Sequence, residues 1–163
     1  MSNYSLYIIT FIVTGVWDIV LRYMSEHYSS LPKIVKQQFP FIKYLIPYFK
    51  AHTVLAAALI AGFIGATTQM IISQIMTYPG VPSSFLTIVA FLTISFIVSA
   101  LYGFLIKPSG LFPVLLKTYY RNLDNSSLGA VRSMYHDGIS GVIVQCTLLA
   151  LSYISHKLNI RLV

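Results

Sequence analysis

The chain has 163 residues, of which 56% are hydrophobic and 9% are charged. A water-soluble domain carries roughly 25% charged residues, so this chain has too few polar groups to cover a soluble globular surface. The composition therefore excludes an ordinary soluble enzyme and a disordered chain. It predicts an all-α, polytopic integral membrane protein with a single membrane domain, residues 1–163.

The charge is strongly basic, with 11 Lys and Arg against 4 Asp and Glu and a formal net charge of +7. In so apolar a chain, this excess favours anionic lipid over nucleic acid as the partner. Cys146 is the one cysteine, which excludes an internal disulfide and a CxxC metal pair. We therefore expect neither a metal nor a cofactor.

Four apolar stretches predict four transmembrane helices, at about 4–22, 52–77, 84–106 and 138–156. No Asp, Glu, Lys or Arg occurs from Ala51 to Ile106, more than twice the length of about 20 residues that one span needs. The Pro- and Gly-containing turn at 78–84 divides this run into two spans of a helical hairpin. Most basic residues then fall in loops 29–50 and 107–137, on one side, which we assign to the cytosol.

Both basic loops show the pattern of short amphipathic interfacial helices. In loop 29–50, apolar residues recur at helical spacing on one face and lysines on another, and Pro40 and Pro47 should divide the helix. The apolar stripe lies in the membrane interface or packs on the protein's own bundle. In the second loop, a helix should begin near Ser127 and continue into the fourth span. The candidate docking residues are Lys33, Lys36, Lys43, Lys50, Lys117, Arg121 and Arg132.

Charged residues near the end of the first span form a ladder. Asp18, Arg22 and Glu26 are four residues apart, so they share a helix face and can pair along it. The structural interpretation is that the ladder ends the span. The functional alternative is proton transfer or ion binding by an acid at the membrane edge.

Uncharged polar and small residues within the spans have two interpretations each. Gln69, Gln74 and Gln145 can form hydrogen bonds between helices or line a transport path. A run of small residues in the second span predicts close helix packing, within one chain or in a homo-oligomer. The central members of that run are Ala58, Gly62 and Gly65.

His136 and Asp137 open the fourth span, and this pair of residue types suggests acid–base chemistry. Adjacent residues on a helix point about 100° apart, so we expect them not to form a dyad. The sequence contains no nucleophile elbow, P-loop, dinucleotide-binding fingerprint or zinc-protease motif. We therefore expect no enzymatic activity.

Three features together resemble small multi-span membrane proteins from virions of large double-stranded DNA viruses. They are residues 15–22 (GVWDIVLR), the tyrosine-rich basic loops and residues 135–138 (YHDG). The resemblance implies a non-enzymatic, capsid-associated component of an internal virion membrane or a host-derived membrane. The basic loops would then contact capsid proteins or anionic lipid.

The leading functional prediction is a structural or scaffolding protein whose basic, aromatic-rich loops dock a protein coat or anionic lipid. Its partners would be the bilayer, other membrane or coat proteins, or a second copy of the chain. The alternative is a small transporter or channel with Asp18 and the glutamines along a path. A transporter should gather these groups around one cavity, whereas a scaffold should have a packed, dry bundle.

Overall fold

The computed structural model describes residues 3–38, 42, 54–79, 84–109 and 127–158. These residues form an all-helical fold with five α-helices, and a 3-10 turn at Tyr28–Ser30 follows the first of them. The helices are α1 (Asn3–Glu26), α2 (Lys33–Gln38), α3 (Val54–Ile75), α4 (Phe85–Ser109) and α5 (Ser127–Lys157).

Four of these helices, α1, α3, α4 and α5, are long and apolar enough to cross a membrane, which confirms the prediction of four such helices. Helix α5 begins at Ser127, where the sequence predicts a helix start, and runs without a break to Lys157. Its 31 residues extend about 46 Å at 1.5 Å per residue. Parts of loop 107–137 therefore belong to α4 and α5, while residues 110–126 lie outside the described residues.

The turn between α3 and α4 is anchored at both ends by polar side chains. The Ser84 hydroxyl accepts a hydrogen bond of 3.2 Å from the Thr87 backbone N–H, which is the geometry of an N-cap. The Tyr78 hydroxyl lies 3.1 Å from the Ser152 hydroxyl on α5. Burial raises the pKa of Tyr78, and the Ser152 hydrogen bond offsets part of this effect. The phenol therefore stays neutral and available to this bond.

The four long helices bury several polar side chains beside their apolar core and expose many large apolar side chains. Thr10, Gln69 and Gln145 are at most 3% exposed, whereas Phe63 is 68% and Leu86 is 77% exposed. A water-soluble bundle has the opposite arrangement, with its apolar stripe facing the core. The outer surface therefore suits an apolar surrounding.

The long helices are arranged as two pairs, in which α1 packs mainly on α3 and α4 mainly on α5. At Gly62, an added Cβ would lie 2.8 Å from the backbone carbonyl oxygen of Phe11. Only glycine allows this approach without a shift of one helix. Gly65 faces the Thr14 side chain in the same interface, and Ala58 lies against Gly15. The three small residues singled out from the sequence thus pack within one chain.

The described part of loop 29–50 presents charge outward and buries one member of its apolar stripe. Helix α2 has no buried residue, and Lys33 is exposed beside Ile34, which is 71% exposed. Ile42 is fully buried, which favours packing on the protein at that position. Lys36 donates a 2.8 Å hydrogen bond to the Ser29 carbonyl oxygen instead of pointing freely outward. Pro40 and Pro47 lie outside the described residues.

The Gly62 contact generates a stability prediction. Gly62→Leu should destabilise the fold by about 1–3 kcal/mol, because the new side chain cannot fit against the Phe11 backbone without separating α1 and α3. The melting temperature of the purified protein in detergent measures this effect. Thr67→Leu is the matched control, because Thr67 lies on the exposed face of α3. Equal melting temperatures for the two variants would contradict a tight contact at Gly62.

Candidate functional site: a polar cavity between the four long helices

All four long helices line one cavity. The volume that the centre of a water molecule can reach is about 120 Å³. One bound water needs roughly 10–15 Å³ of volume measured in the same way. The cavity can therefore hold several waters or one small solute. Its polar lining residues are Thr10, Thr14, Trp17, Asp18, Thr68, Ser99, Tyr102, His136, Asp137, Ser140 and Gln145.

Helix α1 lines the cavity with residues four positions apart. Thr10 and Thr14 donate their hydroxyl protons to the carbonyl oxygens of Leu6 and Thr10, at 2.7 Å each. These bonds leave the lone pairs of both hydroxyl oxygens available as acceptors. The Trp17 indole N–H is also engaged, because it donates a 2.9 Å hydrogen bond to the Thr147 hydroxyl on α5.

Asp18 continues this face and pairs with Arg22 one turn later. The nearest oxygen and nitrogen of the two side chains are 3.6 Å apart, and Arg22 is only 3% exposed. The predicted pairing along α1 is therefore present for these two residues, while Glu26 is exposed at the end of the helix. Asp18 lines the cavity, so the ladder also places a carboxylate at the candidate site.

His136 and Asp137 both line the cavity near the start of the apolar part of α5. The His136 Nδ1 atom lies 3.1 Å from the Asp137 Oδ1 atom, so the expectation that the two do not form a pair is wrong. Their Cβ directions do differ, but the Cα atoms of neighbouring residues are only about 3.8 Å apart. Rotation about the side-chain bonds then brings the two tips together. Asp137 also packs against Gly103 of α4, where an added Cβ would collide with the carboxylate.

The three glutamines have different environments. Gln145 donates a 2.6 Å hydrogen bond from its amide nitrogen to the side-chain oxygen of Gln69, which links α5 to α3. Gln145 lines the cavity, and Gln69 is buried behind it and bonds to Ser73 at 3.4 Å. Gln74 is exposed on the outer face of α3. Gln69 and Gln145 therefore fit the helix-bonding interpretation, and only Gln145 also fits the path interpretation.

An apolar layer follows the polar cavity along the bundle. The cavity-lining residues of α5 end at Gln145. Beyond it, Leu149 packs with Ile72 and Phe91 in a cluster that also contacts Tyr78. Leu148 belongs to a second apolar cluster with α1. Within the described residues, these two clusters separate the cavity from the end of the bundle that carries the hairpin turn.

Few of the predicted docking residues can be located. Lys33 and Lys36 are on α2, whereas Lys43, Lys50, Lys117 and Arg121 lie outside the described residues. Arg132 is in the first turns of α5, and its side chain is not described. Most of the predicted docking surface therefore lies outside the described residues.

Six hydroxyl-bearing residues of the cavity are not predicted from the sequence. A signal was present on α1, because Thr10, Thr14, Asp18 and Arg22 form a polar stripe with a spacing of four on an otherwise apolar helix. Ser140 likewise lies three residues after Asp137 on α5. Isolated hydroxyls in the other two helices carry no such pattern. The missed residues are Thr10, Thr14, Thr68, Ser99, Tyr102 and Ser140.

The comparisons with known proteins identify no relative. No protein-family model matches this sequence, and no curated protein or solved structure matches it. The resemblance to virion membrane proteins therefore stays a prediction. Among the described residues, no group of three His, Cys, Asp or Glu side chains could hold a metal ion.

The hydrogen bond between Gln69 and Gln145 predicts an energetic coupling. A double-mutant cycle with Gln69→Leu and Gln145→Leu should give a coupling of about 0.6–1.7 kcal/mol, the range found for hydrogen bonds between helices in a membrane. Reversible unfolding in mixed micelles measures it. The control cycle pairs Gln145→Leu with Gln74→Leu and should give no coupling, because Gln74 lies on the outer face. Equal couplings in both cycles would rule out a specific bond.

Proposed function

We propose that this chain is a multi-pass membrane protein that binds a small polar solute in the cavity between its four spans, as a transporter does. The observation that carries the proposal is that all four helices contribute polar side chains to one cavity. Polar and ionisable groups are expensive within a membrane, and they usually mark a solute or proton path where they face a shared cavity.

Insertion into a bilayer is part of this proposal, and the outer surface supports it. Each long helix presents large apolar side chains outward, including Ile12, Phe63, Ile97 and Ile154, which are 48–68% exposed. An exposed apolar surface of this extent is unfavourable in water. In a bilayer this apolar surface contacts the lipid tails. Only the polar cavity then needs water or a solute.

The position of the cavity favours a binding site over an open pore. Its polar lining on α5 runs from His136 to Gln145, which are nine positions apart in the sequence and about 13.5 Å apart along the helix. The apolar clusters around Phe91 and Leu148 follow. A solute could therefore occupy the cavity but could not pass the hairpin end in this conformation, which is the behaviour of a carrier closed on one side.

Paired cysteine variants test whether the cavity is accessible to polar molecules in a bilayer. Thr67 and Thr68 have the same side chain and adjacent positions on α3, but Thr67 is exposed outside and Thr68 lines the cavity. In a Cys146→Ala background, Thr68→Cys should react with a small water-soluble methanethiosulfonate. Thr67→Cys should not, because a thiol facing lipid does not ionise. The measurement is the labelling rate in vesicles.

Two results would contradict the proposal. If Thr68→Cys reacts no faster than Thr67→Cys in the bilayer, the cavity does not admit polar molecules. If both react rapidly, the outer face of α3 is in water and the membrane insertion itself is wrong. Labelling of both variants in denaturing detergent controls for the intrinsic reactivity of the two thiols.

We keep docking by the basic loops as a second candidate function, supported by the outward position of Lys33 and Ile34 on α2. A lysine beside an exposed apolar side chain suits an interface with anionic lipid head groups. The occupant that we propose is anionic lipid, because the exposed Lys33 and Ile34 combine a positive charge with an apolar side chain. That role, and a location in a virion or host-derived membrane, stay predictions.

Neutralising the lysine face tests the docking candidate. Lys36→Gln, Lys43→Gln and Lys50→Gln together should weaken attraction to an anionic surface by about 3 kcal/mol before salt screening, at about 1 kcal/mol for each lysine. The triple variant should still insert into the membrane. When the protein is extracted from vesicles of mixed lipid composition, less phosphatidylserine should remain bound to the variant than to the original protein. The difference should shrink at moderate salt. Equal retention at both salt concentrations would exclude electrostatic docking through this loop.

A further inference from the structure

Several donors of the cavity lining are already used within the protein. The hydroxyls of Thr10 and Thr14 and the Trp17 indole donate elsewhere, and one of the two hydrogens of the Gln145 amide nitrogen is used in the bond to Gln69. The same threonines and the same glutamine line the cavity, and their oxygens can accept hydrogen bonds. A ligand that donates hydrogen bonds therefore suits this part of the lining.

One acceptor is buried with nothing bonded to it. Gln145 is 3% exposed, and among the described residues no donor lies within hydrogen-bond distance of its Oε1 atom. The Ser140 hydroxyl, on a residue of α5 that also lines the cavity, is likewise buried without a hydrogen-bond partner among the described residues. A buried polar atom without a partner costs about 1–3 kcal/mol, so these two oxygens favour an occupant that supplies donors.

The charges on the wall favour a positively charged occupant. Two carboxylates, Asp18 and Asp137, line the cavity, and no lysine or arginine is found among the described lining residues. Asp18 interacts with Arg22, and Asp137 with His136. Asp137 is three residues before Ser140, about 4.5 Å along the helix. Its charge therefore acts on whatever binds beside Ser140 through a low-dielectric interior.

We infer that the cavity binds a small protonated amine, whose ammonium group donates to an oxygen of the wall without a partner, Gln145 Oε1 or Ser140 Oγ, in a cavity that Asp18 and Asp137 also line. An ammonium group has donors and no acceptor, which matches this lining. The apolar part of the same wall, formed by Ile64, Ile143 and Val144, then contacts the alkyl part of the amine. This inference rests on the proposed solute-binding function and specifies its ligand.

Protection of Thr68→Cys from labelling tests the inference with methylammonium as the probe. Methylammonium should slow labelling in vesicles in a saturable manner. Three comparisons separate its chemical features: methanol lacks the charge, tetramethylammonium lacks the N–H donors, and potassium lacks both the donors and the alkyl group. Each should protect less at the same concentration and ionic strength.

Two variants connect the protection to the proposed contacts. Gln145→Leu should raise the half-protecting concentration of methylammonium about tenfold, since a hydrogen bond to a charged group contributes about that factor. Asp137→Asn keeps the shape of the side chain and should abolish the preference for methylammonium over methanol. Gln69→Leu breaks the same bond between helices without changing the lining and should have a smaller effect than Gln145→Leu. Gln74→Leu, on the outer face, should have none.

The outcomes separate this inference from the function on which it rests. If Thr68→Cys is never labelled in a bilayer, the accessible cavity itself is wrong. If it is labelled but methylammonium protects no better than methanol or potassium, only the amine inference is overturned. Equal effects of Gln69→Leu and Gln145→Leu would also overturn it, because they would assign the loss to helix packing instead of the acceptor. Folding of each variant is checked by its melting temperature.

Discussion

A polar side chain on an apolar helix has to find its hydrogen bonds inside the protein, because an apolar surrounding supplies none. This requirement explains the rotation of each long helix in the structure. Thr10 and Thr14 bond to their own backbone, and Gln145 bonds to Gln69 on another helix. At the cavity this demand is only partly met, because Ser140 Oγ and Gln145 Oε1 have no hydrogen-bond partner among the described residues.

The sequence predicts the helices well, because their signals are local. A long uncharged run interrupted by proline and glycine can only be two spans with a turn, and the Ser84 cap forms at the predicted start of α4. The start of α5 at Ser127 follows from similar local signals. The path of the chain between these helices has no comparable signal, and much of both basic loops lies outside the described residues.

The cavity is less predictable, because it depends on how helices are rotated against one another. Simple geometry separates Gln69 from Gln74, since five residues correspond to about 140° around a helix and the two cannot share a face. Geometry of the same kind failed for His136 and Asp137, because Cβ directions do not fix where flexible side chains end. Single hydroxyls such as Ser99 become part of the lining only through the packing of α4 on α5.

The arrangement in two helix pairs has a mechanical consequence. Within each pair, the helices approach closely at glycines: Gly62 lies against the backbone of Phe11, and Gly103 lies against the side chain of Asp137. Between the pairs, contacts are sparse, and the described polar links connect Trp17, Gln69 and Tyr78 to α5. Each pair should therefore move as a rigid unit. The least costly distortion of the bundle is then a change in the distance between the two pairs, which would alter the width of the cavity that all four helices line.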